Sequence, residues 1–126
     1  MNSVLVDTSV WVAHFKRNNI HLAWLLRQDM VLMHPMVLGE LACGTPPARA
    51  RTLSDLQRLK MAYQASLHEV MALIEREQLF GMGCGLVDLT LLTSVLMSSD
   101  ARLWTLDKRL QAMVQRWGMA YQPSMP

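Results

Sequence analysis

The chain is expected to be an α/β protein: a three-layer α/β/α sandwich around a central, mainly parallel sheet of four to five strands. Three observations predict this. Short apolar runs such as Val4-Leu5-Val6 do not alternate with polar residues, the pattern of strands buried on both faces. Segments of helical periodicity separate these runs, and right-handed crossovers through helices make neighbouring strands parallel. Carboxylates follow the first and last clear runs, at Asp7 and Asp107, and in open α/β sheets ligands bind where strands end.

The elements follow in order. After the first strand, Thr8 and Ser9 are placed to cap a helix running to about Arg17, and Asn18-Asn19 is a break suited to left-handed backbone. A second helix carries Leu22, Trp24, Leu25 and Leu26, and residues 30–33 form a second buried strand. Pro35 suits the first turn of a short helix over residues 36–43 that contains Glu40, and Gly44 suits the position just past its end. Thr45-Pro46-Pro47 is a rigid loop, residues 48–59 are helical, and residues 61–63 are a weak strand. Ser66 and Glu69 have capping-box spacing and start a helix to about Leu79, with Val70, Leu73 and Ile74 facing inward. A glycine-rich connector at residues 81–85 leads to an apolar helix over 86–97. A strand at 102–105, a helix at 106–117, a short last strand at 119–121 and a fraying tail at 122–126 complete the chain.

With 126 residues, 52% of them hydrophobic, the sequence has the size of one domain, spanning 1–126. The longest apolar run, at 86–97, is broken by Asp88, Thr90, Thr93 and Ser94 and is too short to cross a bilayer. No secretory leader pattern is present and the only two cysteines, Cys43 and Cys84, are expected to be reduced thiols, so the cytoplasm is the expected compartment. A net charge of +2 fits a nucleic-acid partner and equally an ordinary enzyme.

Of ten acidic residues, Asp55, Glu69, Glu75 and Glu77 belong to amphipathic helices and read as solvated charges. Four others differ: Asp7 and Asp107 follow strands, and Glu40 and Asp88 are the sole charges in helices that are otherwise almost wholly apolar. Each has a structural explanation, as a helix cap, a solvent-facing side chain or a charge favoured by the helix dipole. Their joint pattern carries more weight, because a parallel sheet gathers strand ends that are distant in sequence. Convergent carboxylates repel one another and favour a hard divalent cation, magnesium or manganese, suited to phosphodiester hydrolysis.

The chain resembles the PIN-domain ribonucleases, and within them the VapC-type toxins of bacterial toxin-antitoxin pairs, over nearly its whole length. The resemblance rests on Val6-Asp7-Thr8-Ser9-Val10-Trp11, Gly39-Glu40-Leu41, the run from Gly85 to Leu92 and the run from Ala101 to Leu110. It implies a PIN-like fold and an endoribonuclease acting on RNA, often transfer or ribosomal RNA. It matches Asp7, Glu40, Asp88 and Asp107 to the family's catalytic, magnesium- or manganese-holding carboxylates, and Thr8, Ser9 and Thr105 to hydroxyls that orient ligands or water. It also implies a homodimer and a cognate VapB-type antitoxin whose C-terminal segment blocks the acidic groove. Many members carry a further acidic residue where this chain has Arg109, which leaves the number of metal ions open.

Lys108 and Arg109, beside Asp107, are candidate contacts to RNA phosphate. So are Arg49 and Arg51, whose charges oppose the dipole at a helix start. His14, His21, His34 and His68 share no metal-ligand spacing and are assigned no chemistry. Two other functions compete: a magnesium phosphatase with Asp7 as nucleophile, against which Ser9 stands where a second aspartate is wanted, and a non-catalytic PIN-like domain that binds RNA or protein.

Overall fold

A computed structural model describes residues 3–123; of the tail expected to fray, residues 124–126 lie outside the described residues. Four parallel strands, β1 (Ser3–Val6), β2 (Val31–Met33), β3 (Lys60–Met61) and β4 (Ala101–Trp104), form one sheet in the order β3-β2-β1-β4. Around them lie α1 (Thr8–Lys16), α2 (Ile20–Arg27), α3 (Pro35–Ala42), α4 (Arg49–Gln57), α5 (Leu67–Glu77), α6 (Leu86–Leu96) and α7 (Lys108–Gln115). The expected strand at 119–121 is a single parallel bridge of Ala120 to Leu103, fixed by Leu103 N–H donating to Met119 O and Tyr121 N–H to Leu103 O.

The strand order makes the layers. Steps from β1 to β2 to β3 run one way across the sheet, whereas the step from β3 to β4 returns past β1 to its other side. Right-handed crossovers therefore put α1 to α4 on one face and α5 and α6 on the opposite one. The packing agrees, since α1 meets α3, α3 meets α4, and α5 meets α6, which lies on β4. The direction of winding reverses between β1 and β4, and in open α/β sheets the crevice at such a switch point is where ligands bind.

Val4, Leu5 and Val6 in β1 are fully buried at the centre of the core, paired with β2 on one side and β4 on the other. Helix α6 is buried almost all round, from Leu89 to Val95. Its polar interruptions survive there because Thr90 Oγ1, Thr93 Oγ1 and Ser94 Oγ each donate to the carbonyl four residues back, at 2.7, 2.7 and 2.8 Å. Among the described residues, no helix is long and apolar enough to cross a membrane. Cys43 and Cys84 are free thiols, as expected.

Several boundaries move, each for a reason of capping. Helix α1 is capped by Asp7 rather than by Thr8 or Ser9, which lie inside its first turn. Asn19 is not left-handed; its side chain accepts from Leu22 N–H at 2.9 Å and caps α2. Helix α7 starts at Lys108, two residues later than expected, because Asp107 caps it. The Ser66-Glu69 capping box is present as read, with Glu69 N–H to Ser66 Oγ at 3.1 Å and Ser66 N–H to Glu69 Oε1 at 2.8 Å.

Candidate active site

The two strand ends at the crevice are laced together. Asp7, the first residue past β1, is only 6% exposed. Its Oδ1 accepts from Thr8 N–H at 2.7 Å, and its Oδ2 accepts from the hydroxyls of Ser9 at 2.8 Å and Thr105 at 2.6 Å. Thr105, the first residue past β4, is likewise buried, and its Oγ1 also accepts from Asp107 N–H at 3.0 Å. Ser9 Oγ completes the lacing by accepting from Leu106 N–H at 3.0 Å. Asp107 then caps α7, its Oδ1 accepting from the backbone N–H groups of Arg109 at 2.9 Å and Leu110 at 3.0 Å.

The other two carboxylates approach from the helices. Glu40 is exposed on α3 and accepts from Thr8 Oγ1 at 2.5 Å, a bond that ties α3 to the first turn of α1. Asp88 is half-buried in the first turn of α6, with only a long contact of 3.4 Å from Gly85 N–H. Burial pushes the Asp88 carboxyl above the usual carboxylate range; the Gly85 N–H opposes the shift, and the charges of Asp7, Asp107 and Glu40 add to it. All four sequence-predicted acids therefore act on one region. They are neighbours rather than a closed cage: among the described residues, no three acidic, histidine or cysteine side chains are gathered tightly enough to hold an ion.

The basic residues divide. Arg109 lies over Gly83, whose φ of +85° and lack of a side chain let it approach; a Cβ there would stand 2.7 Å from Arg109 Nη1. Its charge reaches Cys84, whose thiol is pushed up by burial and by Asp88 and Asp107 and pulled back by Arg109. Lys108 is exposed at the start of α7. Arg49 turns back to α3, donating from Nη2 to Ala42 O at 2.6 Å and from Nε to Gly44 O at 3.2 Å, so it closes the open end of that helix. Arg51 is exposed on α4.

One histidine to which the sequence assigns no chemistry contributes to the site by positioning. His34, only 3% exposed, caps α3 by accepting from Met36 N–H at Nδ1, 3.0 Å away, and so aims the helix that carries Glu40. With Nδ1 accepting, the proton is on Nε2, which faces Ser94 Oγ at 3.2 Å; Ser94 Oγ also accepts from Ala65 N–H at 3.1 Å. Burial holds the His34 imidazole below its ordinary value, in the neutral form this network requires. A histidine directly before a proline at a helix start was the available signal.

A parallel sheet in this order, with carboxylates at its switch point, defines an α/β domain of the PIN class. A crystal structure of PAE2754 from Pyrobaculum aerophilum shares the fold, with a TM-score of 0.58 over 88% of this chain and 78% of that one, at 20% identity. No protein-family model matches the chain. Ribonuclease VapC32 of Mycobacterium tuberculosis, in strains CDC 1551 / Oshkosh and ATCC 25618 / H37Rv, is 42% identical over 117 residues, 93% of this chain and 94% of that protein. The chain belongs to the VapC-type PIN-domain ribonucleases.

Proposed function

We propose that this chain is a magnesium- or manganese-dependent endoribonuclease, the toxin of a bacterial toxin-antitoxin pair, in which Asp7, Glu40, Asp88 and Asp107, neighbours in this structure, would draw together to hold the ion. The observation that carries this reading is the lacing of Asp7 to Asp107 through Thr105 at the switch point of the sheet, with Asp88 and Glu40 brought alongside. The donor set is all carboxylate and hydroxyl oxygen, which fits a hard divalent cation. The raised Asp88 carboxyl supports the same fit, since a cation relieves the burial and repulsion that disfavour its charge. Bound there, such an ion lowers the pKa of a water and offsets the charge that develops on the phosphate.

The side chains have separable tasks. Asp7, held by three donors, is a fixed anion that cannot rotate away. The same three bonds occupy the oxygens a phosphatase nucleophile would need free, which weighs against that chemistry. Among the described residues, Glu40 Oε2 and Asp107 Oδ2 receive no hydrogen bond, so each keeps an oxygen with which to accept a ligand. Thr8, Ser9 and Thr105 position the carboxylates, and Lys108 and Arg109 beside Asp107 steady the scissile phosphate.

The substrate class we propose is structured cellular RNA, transfer or ribosomal, met in the cytoplasm. A cognate VapB-type antitoxin is the proposed inhibitor. Its support is an apolar cleft of about 360 Å³ beside Glu40, lined by Val12, Phe15, Leu41 and Pro46 with Lys16 at its rim. Exposed Ile20 and Trp24, one turn apart on α2, are consistent with a homodimer. The test of function is cleavage of total cellular RNA by the purified protein with magnesium or manganese. Discrete fragments that vanish with chelator and with Asp7→Asn are expected; fragments that persist in either control would refute the proposal.

A further inference from the structure

Helix α7 runs away from the acidic site, and one of its faces forms a cleft of about 400 Å³ with the glycine-rich turn before α6, lined by Met82, Arg109, Ala112, Met113 and Arg116. Positions 109, 112, 113 and 116 are three or four residues apart, so a single helical face presents them. The two arginines stand two turns apart, roughly 10 Å along the axis. At the near end, Arg109 N–H is bound to Asp107 Oδ1 and the side chain lies over Gly83. At the far end, the Arg116 guanidinium lies 5.0 Å from the centre of the Trp117 ring, which orients it.

The charge of this face is of one sign. From Lys108 to the C-terminus the sequence holds Lys108, Arg109 and Arg116 and no aspartate or glutamate. Among the described residues neither guanidinium is ion-paired, and the one side-chain salt bridge joins Arg76 to Glu77. Between the arginines the surface is apolar, built from Ala112, buried Met113 and half-exposed Met82, whose polarizable sulfur and methylenes suit the face of an aromatic ring. Two oriented cations with an apolar floor between them match a single strand of nucleic acid, with phosphates at the ends and an unstacked base in the middle. A duplex has no free base face to offer.

We propose that this cleft is the subsite for the nucleotide flanking the cleaved bond, taken as single-stranded RNA, with Arg116 holding the phosphate next along the strand from the one at Arg109. The proposal rests on the ribonuclease reading above and deepens it: the cut falls in a loop or an unpaired end, and α7 is the track along which that strand leaves the acidic site.

The test compares wild type, Arg116→Gln and Ala112→Glu, the last placing bulk and negative charge in the cleft at an exposed helical position. Apparent KM on total cellular RNA is expected to rise about tenfold in both variants, with kcat within about twofold, and the log-log salt slope to fall by about one in Arg116→Gln. Thermal midpoints should match wild type. Single-stranded RNA of mixed sequence should compete with cleavage, and this competition should weaken in both variants, whereas the same strand annealed into a duplex should compete poorly throughout. Wild-type KM and salt slope in both variants, beside active wild type, would overturn the subsite and leave the ribonuclease reading intact. Equal competition by the duplex would overturn the single-strand assignment, and a wild type that cleaves no RNA with either metal would overturn both.

Discussion

Replacing Thr105 by valine removes one hydroxyl and leaves the shape of the side chain nearly unchanged. That hydroxyl donates to Asp7 Oδ2 at 2.6 Å and accepts from Asp107 N–H at 3.0 Å, and the residue is 5% exposed, so water cannot easily replace it. A hydrogen bond to a charged group contributes about 1.5–3 kcal/mol, and the amide left without its acceptor adds about 1 kcal/mol. Thr105→Val is therefore expected to lose about 2–4 kcal/mol, a fall in Tm of roughly 8–16 °C for a domain of this size. Thr105→Ser keeps both bonds and loses one methyl group, about 1 kcal/mol. Cleavage should follow the hydroxyl as well: on the order of a hundredfold slower in the valine variant and within a few-fold of wild type in the serine variant. Circular-dichroism melts and single-turnover cleavage read the two effects. Equal stability and equal activity of the valine and serine variants would refute the idea that this hydroxyl joins the two strand ends.

Three other outcomes are expected. Asp88 has a carboxyl raised above its ordinary value of 3.8, so its contribution to stability is present below that pH and is lost as pH rises through the folded-state value. Asp88→Asn should therefore raise Tm at pH 7 while abolishing cleavage, and the gain should vanish as melts are taken toward pH 4. Asp107→Asn, which can still cap α7, should lose cleavage with little change in Tm, whereas Asp107→Ala should lose cleavage and about 1 kcal/mol of stability, as read by paired melts and assays. The His34 imidazole is held below its ordinary value of 6.5, so its share of stability is complete above that pH and falls away as pH drops toward the folded-state value. Melts between pH 7 and 5 should show a shallower acid decline in His34→Asn than in wild type.

Much of this fold was legible because its signals are local. Val4-Leu5-Val6 reads as a doubly buried strand and is one, and the Ser66-Glu69 spacing marks the start of α5 to the residue. Capping and burial blurred the rest. An aspartate after a strand can serve as a cap, and Asp7 and Asp107 do cap α1 and α7; capping uses only Oδ1 of Asp107, so by itself it does not decide against a second task. The tail strand shrank to a bridge because Ala120 alone pairs with Leu103. Arg49 carries a charge that opposes the dipole of its own helix and donates to the open end of the preceding one, a relation visible only once the Thr45-Pro46-Pro47 loop folds the two together. The Asp7-Thr105 bond joins residues 98 positions apart, and no local pattern could announce it.

The most direct test of the four-carboxylate centre is calorimetric titration of manganese into wild type and into Asp7→Asn, Glu40→Gln, Asp88→Asn and Asp107→Asn, each confirmed as folded. Saturable binding is expected in wild type, weakened on the order of tenfold or more in every variant. Undiminished manganese affinity across all four variants would contradict the assignment.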